Sequence, residues 1–224
     1  MAESYLSLLS LNPASADVQQ GLRDVNDLHR RIMEAFPRRT SPSAEARALY
    51  KVLHRLEFDR AGGRVLLYVQ SGTVPDWSRL PDGYLQPEDG LQVKPIGEVY
   101  AGLKTGRVLR FRLRANPTRK VDTKSGPNGE KRNGRRVPLL SLEEQVAWLS
   151  RKASQHGFEL LHVTIAATGS AERVVSRGSG RTFQGIVFEG RLVVRDPAAF
   201  RSVLEQGVGP AKAFGFGLLS VGPA

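Results

Sequence analysis

The apolar positions of this chain fall into two stretches of similar layout, each reading as strands alternating with helices. Tyr5 to Leu11 alternates polar and apolar residues imperfectly before Asn12-Pro13, which predicts a first β-strand leaving its sheet. Asp24 can cap a helix whose apolar residues Val25, Leu28, Ile32 and Phe36 recur at helical spacing until Pro37 ends it. Leu53 to Phe58 and Arg64 to Gln70, joined through Ala61-Gly62-Gly63, read as a hairpin, and Leu91 to Ile96 as a further strand. Residues 1–97 are therefore expected to form an N-terminal βαββ unit with one more strand.

The pattern restarts after Gly106. Val108 to Ala115 alternates apolar residues with arginine, so Leu109, Phe111 and Leu113 should feed a core while Arg110, Arg112 and Arg114 face solvent or a ligand. Ser141 with Glu144 forms a capping box ahead of an amphipathic helix running to His156, with Gly157 as its terminator. Phe158–Ile165, Thr182–Phe188 and Arg191–Val194 read as strands, Asp196-Pro197 opens a helix to about Gln206, and Gly217 to Val221 reads as a closing strand. Residues 98–224 thus make a second α+β unit. Two such units in succession suggest tandem ferredoxin-like domains, although no repeat is visible in the sequence itself.

Bulk composition narrows the function classes. The 224 residues suffice for one large or two small domains; 40% hydrophobic and 25% charged residues are ordinary for a globular protein, and no run resembles a membrane span or secretory signal. A cytoplasmic protein with no membrane attachment is the expectation. The absence of cysteine excludes disulfides and thiolate metal sites, and His29, His54, His156 and His162 show no ligand spacing, so neither metal nor cofactor is expected. The formal net charge of +11 is concentrated: residues 104–136 hold 12 basic and 2 acidic residues (+10), against −1 for residues 1–103 and +2 for 137–224. Charge gathered so tightly points to a polyanion, nucleic acid before an anionic membrane, while a solvated loop is the plainer reading.

The C-terminal segment carries the most specific pattern. Gly207, Gly209, Gly215 and Gly217 surround Lys212, and bare backbone amides beside a lysine suit phosphate oxygens. The spacing matches neither the Walker nor the dinucleotide fingerprint, and tight turns feeding a terminal strand would also account for it. The arrangement from Gly207 to Val221 resembles the glycine-rich loop of the CRISPR-associated endoribonucleases that process repeat RNA, closest to the CasE branch of type I-E systems. Leu11-Asn12-Pro13, Leu28-His29-Arg30, the run from Phe111 to Pro117, Val137-Pro138-Leu139, Gln145 to Leu149 and Phe188 to Leu192 match in the same order. The resemblance spans nearly the whole chain and implies the tandem ferredoxin-like architecture.

It also implies a chemistry. Cleaving RNA without a metal uses the neighbouring 2′-hydroxyl as nucleophile and leaves a 2′,3′-cyclic phosphate and a 5′-hydroxyl; it needs a base, an acid and cationic donors for the phosphoryl oxygens. His29 lies about 40° from Val25 on the helical wheel, at the border of the apolar stripe. Spacing alone favours a histidine packed in a core, but the resemblance reverses this, since the family carries its catalytic histidine at the position of His29. His54, His156 and His162 are expected to be structural or exposed. Many members have a tyrosine three residues before the histidine; here that position is Asn26, which can hydrogen-bond a phosphate or hydroxyl but transfers no proton. Arg30, Arg31 and Lys212 are candidates for charge stabilisation.

RNA binding is expected from the basic loop (Arg119, Lys120, Lys124, Lys131, Arg132, Arg135, Arg136), from Arg114, and from a candidate hairpin around Gly178-Ser179-Gly180 carrying Arg173, Arg177 and Arg181. The backbone at Gly209, Gly215 and Gly217 with Lys212 should face the same phosphates as His29. The resemblance implies partners as well: CRISPR repeat RNA, the mature guide RNA that stays bound, and the other subunits of the type I-E surveillance complex, Cascade, with a monomer when free. Against this reading stand a non-catalytic RNA-binding subunit, since tandem ferredoxin-like modules bind RNA without cutting it, and a basic ribosome-associated or membrane-surface protein.

Overall fold

The computed structural model describes residues 3–37, 43–59, 61–88, 90–121, 135–166, 172–176 and 180–224. In chain order the elements are β1 (Tyr5–Leu11), α1 (Ala16–Arg23), α2 (Val25–Met33), α3 (Ser43–Leu49), β2 (Leu53–Asp59), β3 (Arg64–Ser71), β4 (Leu91–Pro95) and α4 (Gly97–Ala101). They continue with β5 (Val108–Ala115), β6 (Thr118–Val121), β7 (Arg135–Pro138), α5 (Leu142–Gln155), β8 (Phe158–Ile165), β9 (Glu172–Ser176), β10 (Arg181–Val194), α6 (Pro197–Gln206) and β11 (Leu219–Pro223).

Two antiparallel sheets carry the fold, and both have the same topology. The first runs β2-β3-β1-β4 and the second β11-β5-β10-β8; counting strands within each unit, both read 2-3-1-4, the ferredoxin-like order, from one edge or the other. Leu9, Leu11, Leu67 and Val69 of the first sheet pack on Val18, Leu28, Ile32 and Phe36 from the helical side. In the second, Phe111, Leu113 and Phe188 meet Trp148, Leu149, Phe200 and Leu204. Each such side chain contributes on the order of 1.5–3 kcal/mol by leaving water.

Caps appear where the sequence places them. The Asp24 carboxylate accepts from the Asn26 amide at 2.9 Å, the Ser141 hydroxyl from Glu144 N at 3.2 Å, and Asp196 from Ala198 N and Ala199 N. Three expectations need correcting. Helix α2 ends at Met33 and Phe36 lies in the turn beyond it; helices α1 and α3 flank it where periodicity gave no clear signal. Thr182–Phe188 and Arg191–Val194 are one strand, because Gly190 continues β10 and, lacking a Cβ, lets the His162 carbonyl approach where a methyl would stand 2.0 Å away. Arg114 does not face solvent: it is 5% exposed, with its guanidinium 5.1 Å from the centre of the Phe216 ring.

The two sheets are joined by buried polar contacts rather than a linker alone. Arg55 on β2 donates to the Leu218 carbonyl at 3.2 Å and the Ser220 hydroxyl at 2.9 Å. Gln70 on β3 donates to the Leu204 carbonyl at 2.6 Å and accepts from the Tyr100 hydroxyl at 2.7 Å. Lys51 pairs with Glu205 at 2.5 Å. This fixes the end of α6, and the glycine-rich segment that follows it, against β2 and α2.

Candidate functional site

The glycine-rich segment is a loop of left-handed turns. Gly207, Gly209, Gly215 and Gly217 all have φ between +79° and +90°, Ala211 has φ +63°, and Lys212–Phe214 forms a single 3-10 turn. Two positions show why glycine is needed. A methyl at Gly209 would stand 2.9 Å from the Trp148 ring; at Gly215 it would stand 3.4 Å from His54 Nε2 and 3.6 Å from Arg114 Nη1, in a backbone conformation that L side chains resist. The Gly217 amide donates to the Arg114 carbonyl at 2.8 Å, which removes it from the amides available to a phosphate, and its carbonyl accepts from Val208 N at 2.9 Å. The loop is thus pinned to β5 and presents Lys212 beside α2.

His29 projects from α2 at the edge of the first core. It is half-buried, its Nδ1 is buried without a hydrogen-bond partner among the described residues, and its ring stacks on that of His54, centroids 6.0 Å apart at 20°. Burial, and secondarily the Arg47 charge, hold His29 down at about 4, so at neutral pH it is an uncharged imidazole. His54 on β2 is 1% exposed and held well below the ordinary histidine range by burial and then by His29, Arg114 and Arg47. Burial lowers Lys212 as well, with Arg47 and Lys152 adding to it.

Arg47 is the functional candidate that sequence reading missed. It lies on α3, donates to the Val52 carbonyl at 3.3 Å, forms no ion pair among the described residues, and acts electrostatically on His29, His54 and Lys212. Nothing in a lone Arg-Ala-Leu sequence marks it; only the tertiary fold brings its charge within range of the histidine. On the other side of the loop, a cavity of about 520 Å³ is lined by Arg119, Lys120, Arg136, Arg151, Lys152, His156 and Lys212, with Trp148 and Gly209 among its other walls. Among the described residues no aspartate or glutamate lines it. His156 at the α5 end is lowered by burial, then by Lys152 and Lys212.

The other predicted residues divide. Arg30 is paired with Asp27, and Arg31 with Asp17 at 2.6 Å and Glu34 at 2.8 Å, so both guanidinium groups are engaged with carboxylates. Asn26 donates through its side chain to the cap residue Asp24 at 3.1 Å. His162 is exposed on β8. β6 and β7 pair from Thr118↔Pro138 to Val121↔Arg135, making the basic segment a hairpin, while Lys124, Lys131 and Arg132 lie outside the described residues. The second hairpin is present: β9 pairs with the start of β10, Arg173 opposite Gln184 and Arg181 opposite Ser176. Arg177 lies outside the described residues, as do the Arg173 and Arg181 side chains. β9 packs near α2, and Phe183 on β10 stacks on Phe214 of the lysine turn at 4.6 Å.

What gathers here is a neutral histidine, a basic cavity, and Arg47 and Lys212, which form no ion pair among the described residues. Among the described residues no cluster of three carboxylate or histidine groups could hold a metal ion, and no helix is long and apolar enough to cross a membrane.

Known proteins resemble this chain along nearly its whole length. The sequence profile described as CRISPR associated protein matches residues 4–223. The Thermus thermophilus CRISPR-associated endoribonuclease Cse3 is 36% identical over 230 residues, covering 98% of this chain and all of that protein. The Escherichia coli Cascade subunit CasE is 32% identical over 204 residues, covering 90% and 93%. The structure of Thermus thermophilus Cse3 bound to an RNA representing a pre-cleavage complex superimposes with a TM-score of 0.79 at 36% identity, covering 99% of this chain and all of that one. A profile match over nearly every residue, two full-length relatives above 30% identity and the shared tandem ferredoxin-like fold place this chain in the Cse3/CasE family of CRISPR-associated proteins.

Proposed function

We propose that this protein is a metal-independent endoribonuclease that cuts CRISPR precursor RNA at the base of the repeat stem-loop, leaves a 2′,3′-cyclic phosphate, keeps the mature guide RNA and joins Cascade. The relatives' names supply the substrate class and the assembly. The observation that carries the mechanism is that α2, which bears the neutral His29, meets the turn that bears Lys212, with Arg47 acting electrostatically on both side chains. An uncharged imidazole can take the 2′-hydroxyl proton as that oxygen attacks phosphorus. The 5′ oxygen then leaves and needs a proton, for which Lys212, more acidic here than an ordinary lysine, is the candidate donor in place of the tyrosine that Asn26 replaces. Arg47 stabilises the charge growing on the phosphoryl oxygens. Bound phosphate raises the pKa of His29 from its depressed value, offsetting Arg47 and strengthening it as a base.

The cavity between the β6–β7 hairpin, α5 and the glycine loop suits the phosphates of the adjoining strand, since its lining holds cations and, among the described residues, no carboxylate. The β9–β10 arm, beside α2, is placed to grip the stem. The competing reading is a binder that does not cut, favoured by Asn26. Incubating the protein with the repeat RNA of its host locus in EDTA and mapping the ends decides between them. Cyclic-phosphate and 5′-hydroxyl ends support the enzyme; intact RNA supports the binder, and 5′-phosphate ends that require magnesium overturn the mechanism.

A further inference from the structure

The chemistry above uses one histidine, yet the structure packs two together. His54 sits on β2 between Leu53, which is 0% exposed, and Arg55, at a place where phenylalanine or leucine would be at home. Instead it buries an imidazole whose Nδ1 and Nε2 both lack a hydrogen-bond partner among the described residues, with its ring centre 6.0 Å from that of His29, whose Nδ1 is equally unpartnered. A buried polar atom left unpaired costs about 1–3 kcal/mol, and most buried polar groups in folded proteins are satisfied. Three such nitrogens in two stacked rings are a cost that stability alone does not explain.

The tautomer of His29 gives them a use. To take a proton at Nε2, the imidazole must carry its own hydrogen on Nδ1, and a buried N–H needs an acceptor. Among the described residues no carboxylate stands there; the groups that face His54 are His29 from α2, Arg47 from α3 and Arg114 from β5. All three disfavour a proton on His54, which keeps it a neutral ring with a bare nitrogen to offer. We infer that His54 is a positioning residue for His29: with RNA seated, its imidazole accepts a hydrogen bond from His29 Nδ1, directly or through one water, and so holds the tautomer that leaves Nε2 bare. The inference rests on the proposed ribonuclease reading.

It sets stability against activity. His54→Phe keeps the ring and the stacking but removes the orphan nitrogens, so thermal unfolding should stay level or move to higher temperature. Affinity for the host repeat RNA should be unchanged, while the single-turnover cleavage rate falls about 10- to 100-fold from misorientation. His54→Gln, which restores a hydrogen-bonding group near the place of Nε2, should recover part of that rate. A phenylalanine variant that cleaves like wild type, or that loses stability, affinity and rate together, overturns the assignment.

A measurement on the unaltered protein removes dependence on any variant. With repeat RNA blocked by a 2′-deoxy residue before the cut, ¹⁵N NMR of the His29 ring should show the Nδ1–H form; the Nε2–H form overturns the inference even if the enzyme is active. Wild-type protein that binds the repeat RNA without cutting it refutes the ribonuclease reading and this one with it. Wild type that cuts, with an indifferent His54, refutes this one alone.

Discussion

Two arginine-rich regions of this molecule differ in what stands beside the guanidinium groups. In the groove between the sheets, Arg55 pairs with Glu57 at 2.6 Å, and Arg112 pairs with Glu57 at 3.1 Å and with Glu189. Around the glycine loop, Arg47, Lys152 and Lys212 form no ion pair among the described residues, and they lower the proton affinity of their neighbours. Matched charge closes an interface; unmatched charge waits for an anion. Net charge alone blurs this distinction, since a paired and an unpaired arginine count the same.

The sharpest test of the contrast changes one residue in each region. Arg55, whose side chain is 4% exposed, pairs with Glu57 and donates to three further acceptors, so Arg55→Ala should cost about 3 kcal/mol or more in urea unfolding by leaving the Leu218 and Ser220 oxygens unpaired, while Glu57 keeps Arg112. Next in size, His29→Ala should lower cleavage by 100-fold or more, about 2.7 kcal/mol in the barrier, with hairpin RNA affinity and the unfolding midpoint nearly unchanged. If Arg55→Ala proves harmless to folding, or His29→Ala cuts normally, the division between structural and functional charge fails.

Arg47→Ala sharpens the comparison on the functional side. Its charge is the second cause holding His29 near 4, so removing it should move the acid limb of the pH–rate profile for kcat/KM upward, toward 6.5, besides slowing cleavage. The same depressed pKa has a stability signature. The unfolded chain takes up the His29 proton as pH falls through about 6.5, the folded chain only near 4, so stability should decline across that window and level off below it. His29→Gln should flatten part of that decline; an unaltered slope would mean the imidazole titrates normally in the fold. The smallest effect belongs to the hairpin arms: Arg119→Ala with Arg136→Ala should reduce the log–log salt slope of RNA binding by about 1 to 2, whereas Arg30→Ala, already matched by Asp27, should leave it unmoved.

Much of the architecture was legible because local rules agreed with the global fold. β1, β5 and β8 begin and end where alternation and turn residues place them, and α2, α5 and α6 start at the cap residues the sequence names. What escaped was nonlocal. α3 has too few residues for its period to show, and β10 crosses a glycine that reads as a break. His29 could be singled out by its place at the stripe border together with a family motif. Arg47 and His54 could not, since their importance comes from where the tertiary fold brings α3 and β2, which no spacing encodes. The same holds for Arg30 and Arg31: adjacent to the histidine in sequence, they turn outward to acids of α1 and α2.

β10 has a consequence beyond closing a sheet. Its fourteen residues extend for about 45 Å, the first part paired with β9 as a projecting arm and the rest locked between β5 and β8. Phe183, on the arm, rests on Phe214 of the lysine turn. The strand is therefore a lever with its fulcrum at the glycine loop: load applied where the arm meets a ligand is delivered as torque on the turn that carries Lys212. On the proposed reading, a hairpin badly seated on the arm would leave Lys212 out of alignment before any bond is broken.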